Sequence, residues 1–224
     1  MPSHPSQLSS PRIAVGPAGW AAALLLALSA CAAPAPKPAP ATPNAAAAPN
    51  PADPLQRLRP LCGKAYAGRV VVDTPKSADD PFAGKPLIMH VRDCGLTEIR
   101  VPFHVGEDRS RTWVFSAHDG RLRLKHDHRH ADGSPDALTQ YGGDQRAPGV
   151  QRPGEIAGRY EFPADAYSQD MFRKLGREVS VPNVWAVEID AQRFVYELAR
   201  PGRLFRVEFD LSQPIAPPPP PWGG

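Results

Sequence analysis

The sequence predicts a mainly β domain over residues 55–213, an antiparallel β-barrel or sandwich with one or two short helices. Three observations predict it. Strand-like runs at 65–73, 86–93, 97–105, 111–118, 121–130, 156–162, 183–190, 193–199 and 203–211 follow one another with turn residues between them. One stretch, 164–175, has helical spacing, with Tyr167, Met171, Phe172 and Leu175 on one face and Gly176 behind it. Proline is unevenly spread: 18 of the 29 prolines lie in the flanks, outside this region. The 18 glycines show no three-residue period, which excludes collagen.

The elements are justified in chain order. Asp53-Pro54-Leu55, followed by Leu58 and Leu61, reads as a capped short helix that Pro60 limits. Two strand pairs can be put in register from their turns. Asp119-Gly120 is a type I′ signal, which pairs His118 with Arg121, Trp113 with His126 and Arg111 with His128. Continued one step, it pairs Arg109 with His130. Pro201-Gly202 similarly sets Phe194, Tyr196 and Leu198 against Phe209, Val207 and Phe205 as a core face. Arg193–Asp210 and Glu197–Arg206 then pair on the other face.

The flanks have a different character. After Arg12 an apolar run of 16 residues, Ile13 to Leu28, ends in Leu28-Ser29-Ala30-Cys31. That is short for a bilayer span and has the small-residue exit of an export signal. The segment resembles a bacterial lipoprotein signal peptide, with all four lipobox positions matched. The resemblance implies removal of residues 1–30, lipidation of Cys31 and attachment to the membrane through the lipid. With Ala32 next rather than aspartate, it implies an outer-membrane location and a periplasmic domain. Residues 32–54 have no large apolar side chain and read as an Ala/Pro-rich disordered linker able to span up to ~70 Å. The stretch 214–224 reads as a proline-rich disordered tail. Export into an oxidising compartment makes a structural Cys62–Cys94 disulfide the expected fate of the remaining thiols, rather than a metal or redox pair, since no CxxC occurs.

The opening Leu58-Arg59-Pro60-Leu61-Cys62-Gly63-Lys64-Ala65-Tyr66 resembles the short helix, glycine and aromatic that begin lipocalin-like barrels, without their Gly-x-Trp. That resemblance implies a barrel rather than a sandwich. The run from His104 to Trp113, the histidine-rich stretch 125–136 and Tyr141-Gly142-Gly143 resemble a group of small secreted bacterial proteins that carries no assigned activity.

The net charge is only +3, and no basic tail or Lys/Arg helix stripe occurs, so no nucleic-acid partner is expected. The chemistry concentrates in Lys125-His126-Asp127-His128-Arg129-His130. Alternate residues of a strand point one way. His126, His128 and His130 thus share a face, with His104 or His90 as further candidate ligands for a metal such as zinc. Gly120 and His126-x-His128 resemble the first cupin motif, but the next acid is Asp132 and no histidine follows His130. The hairpin register sets Arg111 and Arg109 across from these imidazoles, and guanidiniums oppose a divalent cation there. They suit a small anionic or amphipathic ligand, with Trp113 as a stacking wall and Tyr141 nearby. The expected ligand-binding set is Arg109, Arg111, Trp113, His126, His128, His130 and Tyr141, with no resident cofactor favoured. Two other classes compete: a metal- or histidine-dependent hydrolase, and a structural envelope protein whose polar network merely plugs a barrel end. No Gly-x-Ser-x-Gly occurs, and Gly142-Gly143 lacks the helix and lysine of a phosphate loop. The sequence sets no oligomeric state.

Overall fold

The structure, a computed structural model, describes residues 55–76, 80–146 and 158–224. The export signal, Cys31, the linker and the cap at Asp53-Pro54 lie outside the described residues. Among the described residues, eleven strands form one antiparallel sheet that nearly closes into a barrel, joined by one α-helix and two 3-10 turns. The opening leucines make only a turn and a 3-10 segment, Arg59–Leu61, with Pro60 inside it.

The strands are β1 (Ala65–Thr74), β2 (Leu87–His90), β3 (Asp93–Cys94), β4 (Glu98–Val105), β5 (Asp108–His118) and β6 (Arg121–His128). They continue with β7 (Tyr141–Asp144), β8 (Arg159–Pro163), β9 (Val184–Ile189), β10 (Arg193–Arg200) and β11 (Arg203–Ile215). Their order around the wall is β7-β6-β5-β4-β2-β1-β11-β10-β9-β8, with β3 added to β4. Trp113 faces His126, Arg111 faces His128, Phe194 faces Phe209 and Arg200 faces Arg203, as the two turns predict, but the first ladder ends at Arg111–His128 and the expected Arg109–His130 pair does not form. Asp119 and Gly120 both have positive φ, as a type I′ turn requires.

The expected strand 86–93 splits, because Val91 turns its backbone back to Gly63 and Lys64. The disulfide Cys62–Cys94 ties the opening turn to β3 across 32 residues. The helix α1 runs Ala166–Lys174, with Asp165 accepting from the Ser168 N–H as its cap. Its inner face is Ser168 and Phe172; Tyr167 and Leu175, expected inside, are exposed. β7 was not expected as a strand, since glycine carries little β-propensity. Its glycines are demanded by the seam. A Cβ on Gly142 would lie 1.9 Å from the Leu124 carbonyl oxygen, and one on Gly143 1.9 Å from that of Pro163. Among the described residues two backbone bonds bridge β7 to the β8 side, Arg146 N–H to Glu161 O at 2.7 Å and Asp165 N–H to Gly142 O at 2.9 Å. The Gly142 N–H also donates to Ser168 Oγ at 2.8 Å.

Inside, period-2 side chains form an aromatic core. Trp113 stacks on Phe103 at 4.8 Å and on Tyr196 at 4.5 Å, and Phe194 and Phe209 meet edge to face at 6.1 Å. Fully burying each such side chain contributes roughly 1.5–3 kcal/mol. On the outside of four consecutive strands, Arg159, Glu188, Glu197 and Arg206 make a closed quartet. Arg159 reaches Glu188 at 2.8 Å and Glu197 at 2.7 Å; Arg206 bonds Glu188 at 3.0 Å and also Glu197. Both glutamates are buried. Burial works to raise the Glu197 carboxyl, but Arg159 and Arg206 outweigh it and hold it below the ordinary glutamate value.

The tail departs from expectation. β11 runs on through Ile215, where a disordered stretch from Pro214 was expected. The Trp222 N–H donates to the Arg109 carbonyl at 3.1 Å, the Arg109 guanidinium donates to Pro220 O at 3.0 Å, and Gly223 lies against Gly133.

Candidate functional site

One end of the barrel holds a cavity of about 230 Å³. It forms where β5 begins and β6 ends, and where β10 turns into β11. Connections between strands complete it: Phe82 from the β1–β2 loop, Leu138 from the β6–β7 loop, and Phe172, Arg177, Ser180 and Asn183 from the stretch between β8 and β9. Ordinary ligand cavities hold roughly 300–1,000 Å³, so this one suits a small molecule.

Five of the seven expected site residues line it: Arg111, Trp113, His126, His128 and Tyr141. Arg109 and His130 do not. The reason is a slip in the β4–β5 ladder: Phe103 faces Arg111, but Val105 faces Asp108 rather than Arg109. One residue of slip reverses the facing. Asp108 takes the place beside Arg111 and accepts from its Nη1 at 2.5 Å, while Arg109 is engaged by the tail. β6 likewise ends at His128, because the following loop folds back, with His130 N–H bonded to Ser134 O at 2.8 Å. His130 is exposed.

The histidines act as wall. His126 Nδ1 lies 3.1 Å from the Tyr141 carbonyl, which can only accept, so Nδ1 carries the proton. Its Nε2 then accepts from the Tyr196 hydroxyl at 2.8 Å. Burial and the neighbouring His128 push the imidazole down to about 3, so it stays neutral. His128 is pushed down to about 4 by burial and by Arg111, and its Nε2 lies 2.9 Å from the Tyr141 hydroxyl. Burial pushes that hydroxyl up, so it too is neutral. His126 stacks on Tyr141 at 4.5 Å. Both nitrogens of His126, a candidate metal ligand, are thus engaged by Tyr141 and Tyr196. His104 sits on β4, buried beside Arg109 and His90, with its Nε2 unpartnered among the described residues. Among the described residues no three His, Cys, Asp or Glu side chains come together as a metal site.

The cationic rim includes three arginines that the sequence reasoning missed, Arg177, Arg200 and Arg203. A signal for two of them was present. The Pro201-Gly202 register puts Arg200 directly opposite Arg203, and like charges facing across a ladder are destabilising unless something neutralises them. Arg203 has Asp73 and the Pro75 carbonyl. Among the described residues Arg200 donates to the Asn183 side-chain oxygen, at 3.3 Å, and to no carboxylate. Burial and the Arg203 charge hold Arg200 below the ordinary arginine value. Four of the lining residues are arginines, and among the described residues none is Asp or Glu. An apolar, ring-lined interior thus opens through a mouth of fixed positive charge.

Compared with protein-family models, with curated proteins and with solved structures, the chain finds no match, and its function is read from its own residues.

Proposed function

We propose that this domain binds a small amphipathic anion in the barrel-end cavity, the acid group at the arginines and the apolar body among the rings. One observation carries this reading: Arg200 is held opposite Arg203, whose charge Asp73 answers, while among the described residues Arg200 itself meets a neutral amide oxygen and no carboxylate. A bound anion relieves that repulsion, and guanidinium forks recognise acids bidentately. The proposal also places the protein on the outer membrane through a lipidated Cys31, with the domain on the periplasmic side. The Leu28-Ser29-Ala30-Cys31 pattern supports that reading, and the Cys62–Cys94 disulfide suits an oxidising compartment.

Binding is tested by calorimetric titration with benzoate and octanoate against benzyl alcohol and octanol. An acid should bind at least tenfold tighter than its alcohol, and Arg200→Gln should lose about tenfold, or ~1.4 kcal/mol. Equal binding of acids and alcohols would sink the anion reading. For the anchor, Cys31→Ala should move the protein from the membrane to the soluble fraction. A Cys31→Ala protein that still sediments with membranes argues against lipidation.

A further inference from the structure

The chemistry of the cavity wall narrows the ligand further, on the premise that the cavity binds an amphipathic anion. Among the described residues, ten of its eighteen lining side chains carry an aromatic or imidazole ring, and only Leu138 and Leu198 are aliphatic. The rings are ordered. From the mouth inward, Phe205 stacks on Phe82 at 4.6 Å, Phe82 lies 6.2 Å from Phe103, Phe103 stacks on Trp113 and Trp113 on Tyr196, with interplanar angles of 30°, 24°, 15° and 20°. A second group, His126, Tyr141 and Trp185, stands across from it, with His126 tilted 70° to Tyr196. Rings have few rotatable bonds and are here fixed by one another, so the wall is rigid. A flexible acyl chain loses rotamer freedom on entering such a wall and gains no stacking. A flat aromatic body loses little and gains ring–ring contacts.

The acid group can be narrowed in the same way. Arg111 is the arginine set among these rings, across the ladder from His128. Its Nη1 is taken by Asp108, while Nε and Nη2 have no hydrogen-bond partner among the described residues. Those two N–H groups form the side edge of the guanidinium, whose spacing matches the two oxygens of one carboxylate. Asp108 also holds the fork in place. Burial works to raise the Asp108 carboxyl, but hydrogen bonds from Ser110 and Arg111 outweigh it and keep it ionised.

We infer that the ligand is a small planar aromatic carboxylate, its ring held among the stacked side chains and its acid group on the side edge of Arg111. Calorimetric titration of the whole domain with 2-naphthoate, octanoate and 2-naphthamide tests it. 2-Naphthoate should bind at least tenfold tighter than both of the others. Arg111→Lys, which keeps the charge and loses the fork, should weaken 2-naphthoate about tenfold. Phe82 sits on a loop, so Phe82→Leu removes one ring of the stack without altering a strand; it should weaken 2-naphthoate several-fold more than octanoate. Octanoate binding as tightly as 2-naphthoate, with both lost in Arg200→Gln, overturns the aromatic inference and leaves the anion site standing. Arg111→Lys binding 2-naphthoate as the parent does overturns the carboxylate fork. No binding of either acid overturns the inference and the anion site together.

Discussion

Arginines gather in two places on this barrel, and the two gatherings differ in what answers them. On the outer face, Arg159 and Arg206 meet Glu188 and Glu197, each guanidinium bonded to both carboxylates. At the barrel mouth, Arg111 and Arg203 each have one carboxylate, Arg200 has an amide oxygen, and Arg177 has no side-chain partner among the described residues. The first group is saturated and therefore structural. The second keeps donors in reserve and gives up some stability to do so. That contrast, more than the amount of charge, separates a strut from a binding site.

The contrast can be broken from the strong side first. Glu197→Ala leaves two half-buried guanidiniums sharing one buried carboxylate. It should cost about 3–5 kcal/mol in urea unfolding while acid binding by the folded fraction stays unchanged. A loss below about 1 kcal/mol would show that the quartet is no strut.

The next effect is the pH dependence of the cavity wall. His126 and His128 are held near 3 and 4, below the unfolded value of about 6.5. The unfolded chain therefore takes up protons first as the pH falls. Their contribution is complete above about pH 6.5, declines by up to ~1.4 kcal/mol per pH unit for each histidine below it, and stops changing once the pH has passed both folded values. His90 and His104 are shifted in the same direction and add to the slope. Denaturant unfolding from pH 7 to 4.5 should show the decline, and His128→Gln should remove its share. An unchanged slope would mean that His128 is not held neutral.

Smaller still is the stability effect of Arg200→Gln. Removing a half-buried cation that faces Arg203 should shift unfolding by no more than about 0.5 kcal/mol, or raise stability slightly. A loss of about 2 kcal/mol or more would make Arg200 a structural group like Arg159. The smallest is Asp170→Asn on α1. Its pair with Arg173 is exposed, and the change should stay within about 0.5 kcal/mol, setting the baseline against which the others are read.

What the sequence revealed follows from how local each determinant is. Both hairpins were legible because a two-residue turn sets the pairs behind it, and so Trp113–His126, Arg111–His128 and Phe194–Phe209 could all be placed. β7 was not legible: Tyr141-Gly142-Gly143 has no strand signal, and its glycines are explained only by the backbones of β6 and β8 that press on them. Arg109 was lost from the site by a one-residue slip between Phe103 and Val105, which leaves no local mark. The expected face of α1 held at Met171 and Phe172 but not at Tyr167 and Leu175, because the helix seats Ser168 against Gly142. Phe82, Phe172 and Arg177 come from connections whose course no periodicity sets.

The seam between β7 and β8 has a consequence in time. Its neighbours are joined by full ladders, whereas two backbone bonds, helped by Ser168, cross it among the described residues. The free energy of local opening should therefore be lowest there, and the Arg146 and Asp165 amides should exchange with deuterium before those of the β10–β11 ladder. Tyr141 on one bank and Phe172 just beyond the other both reach the cavity. A bound ring touching both would hold the banks together, so the exchange rate of those two amides becomes a clock for how long the ligand stays.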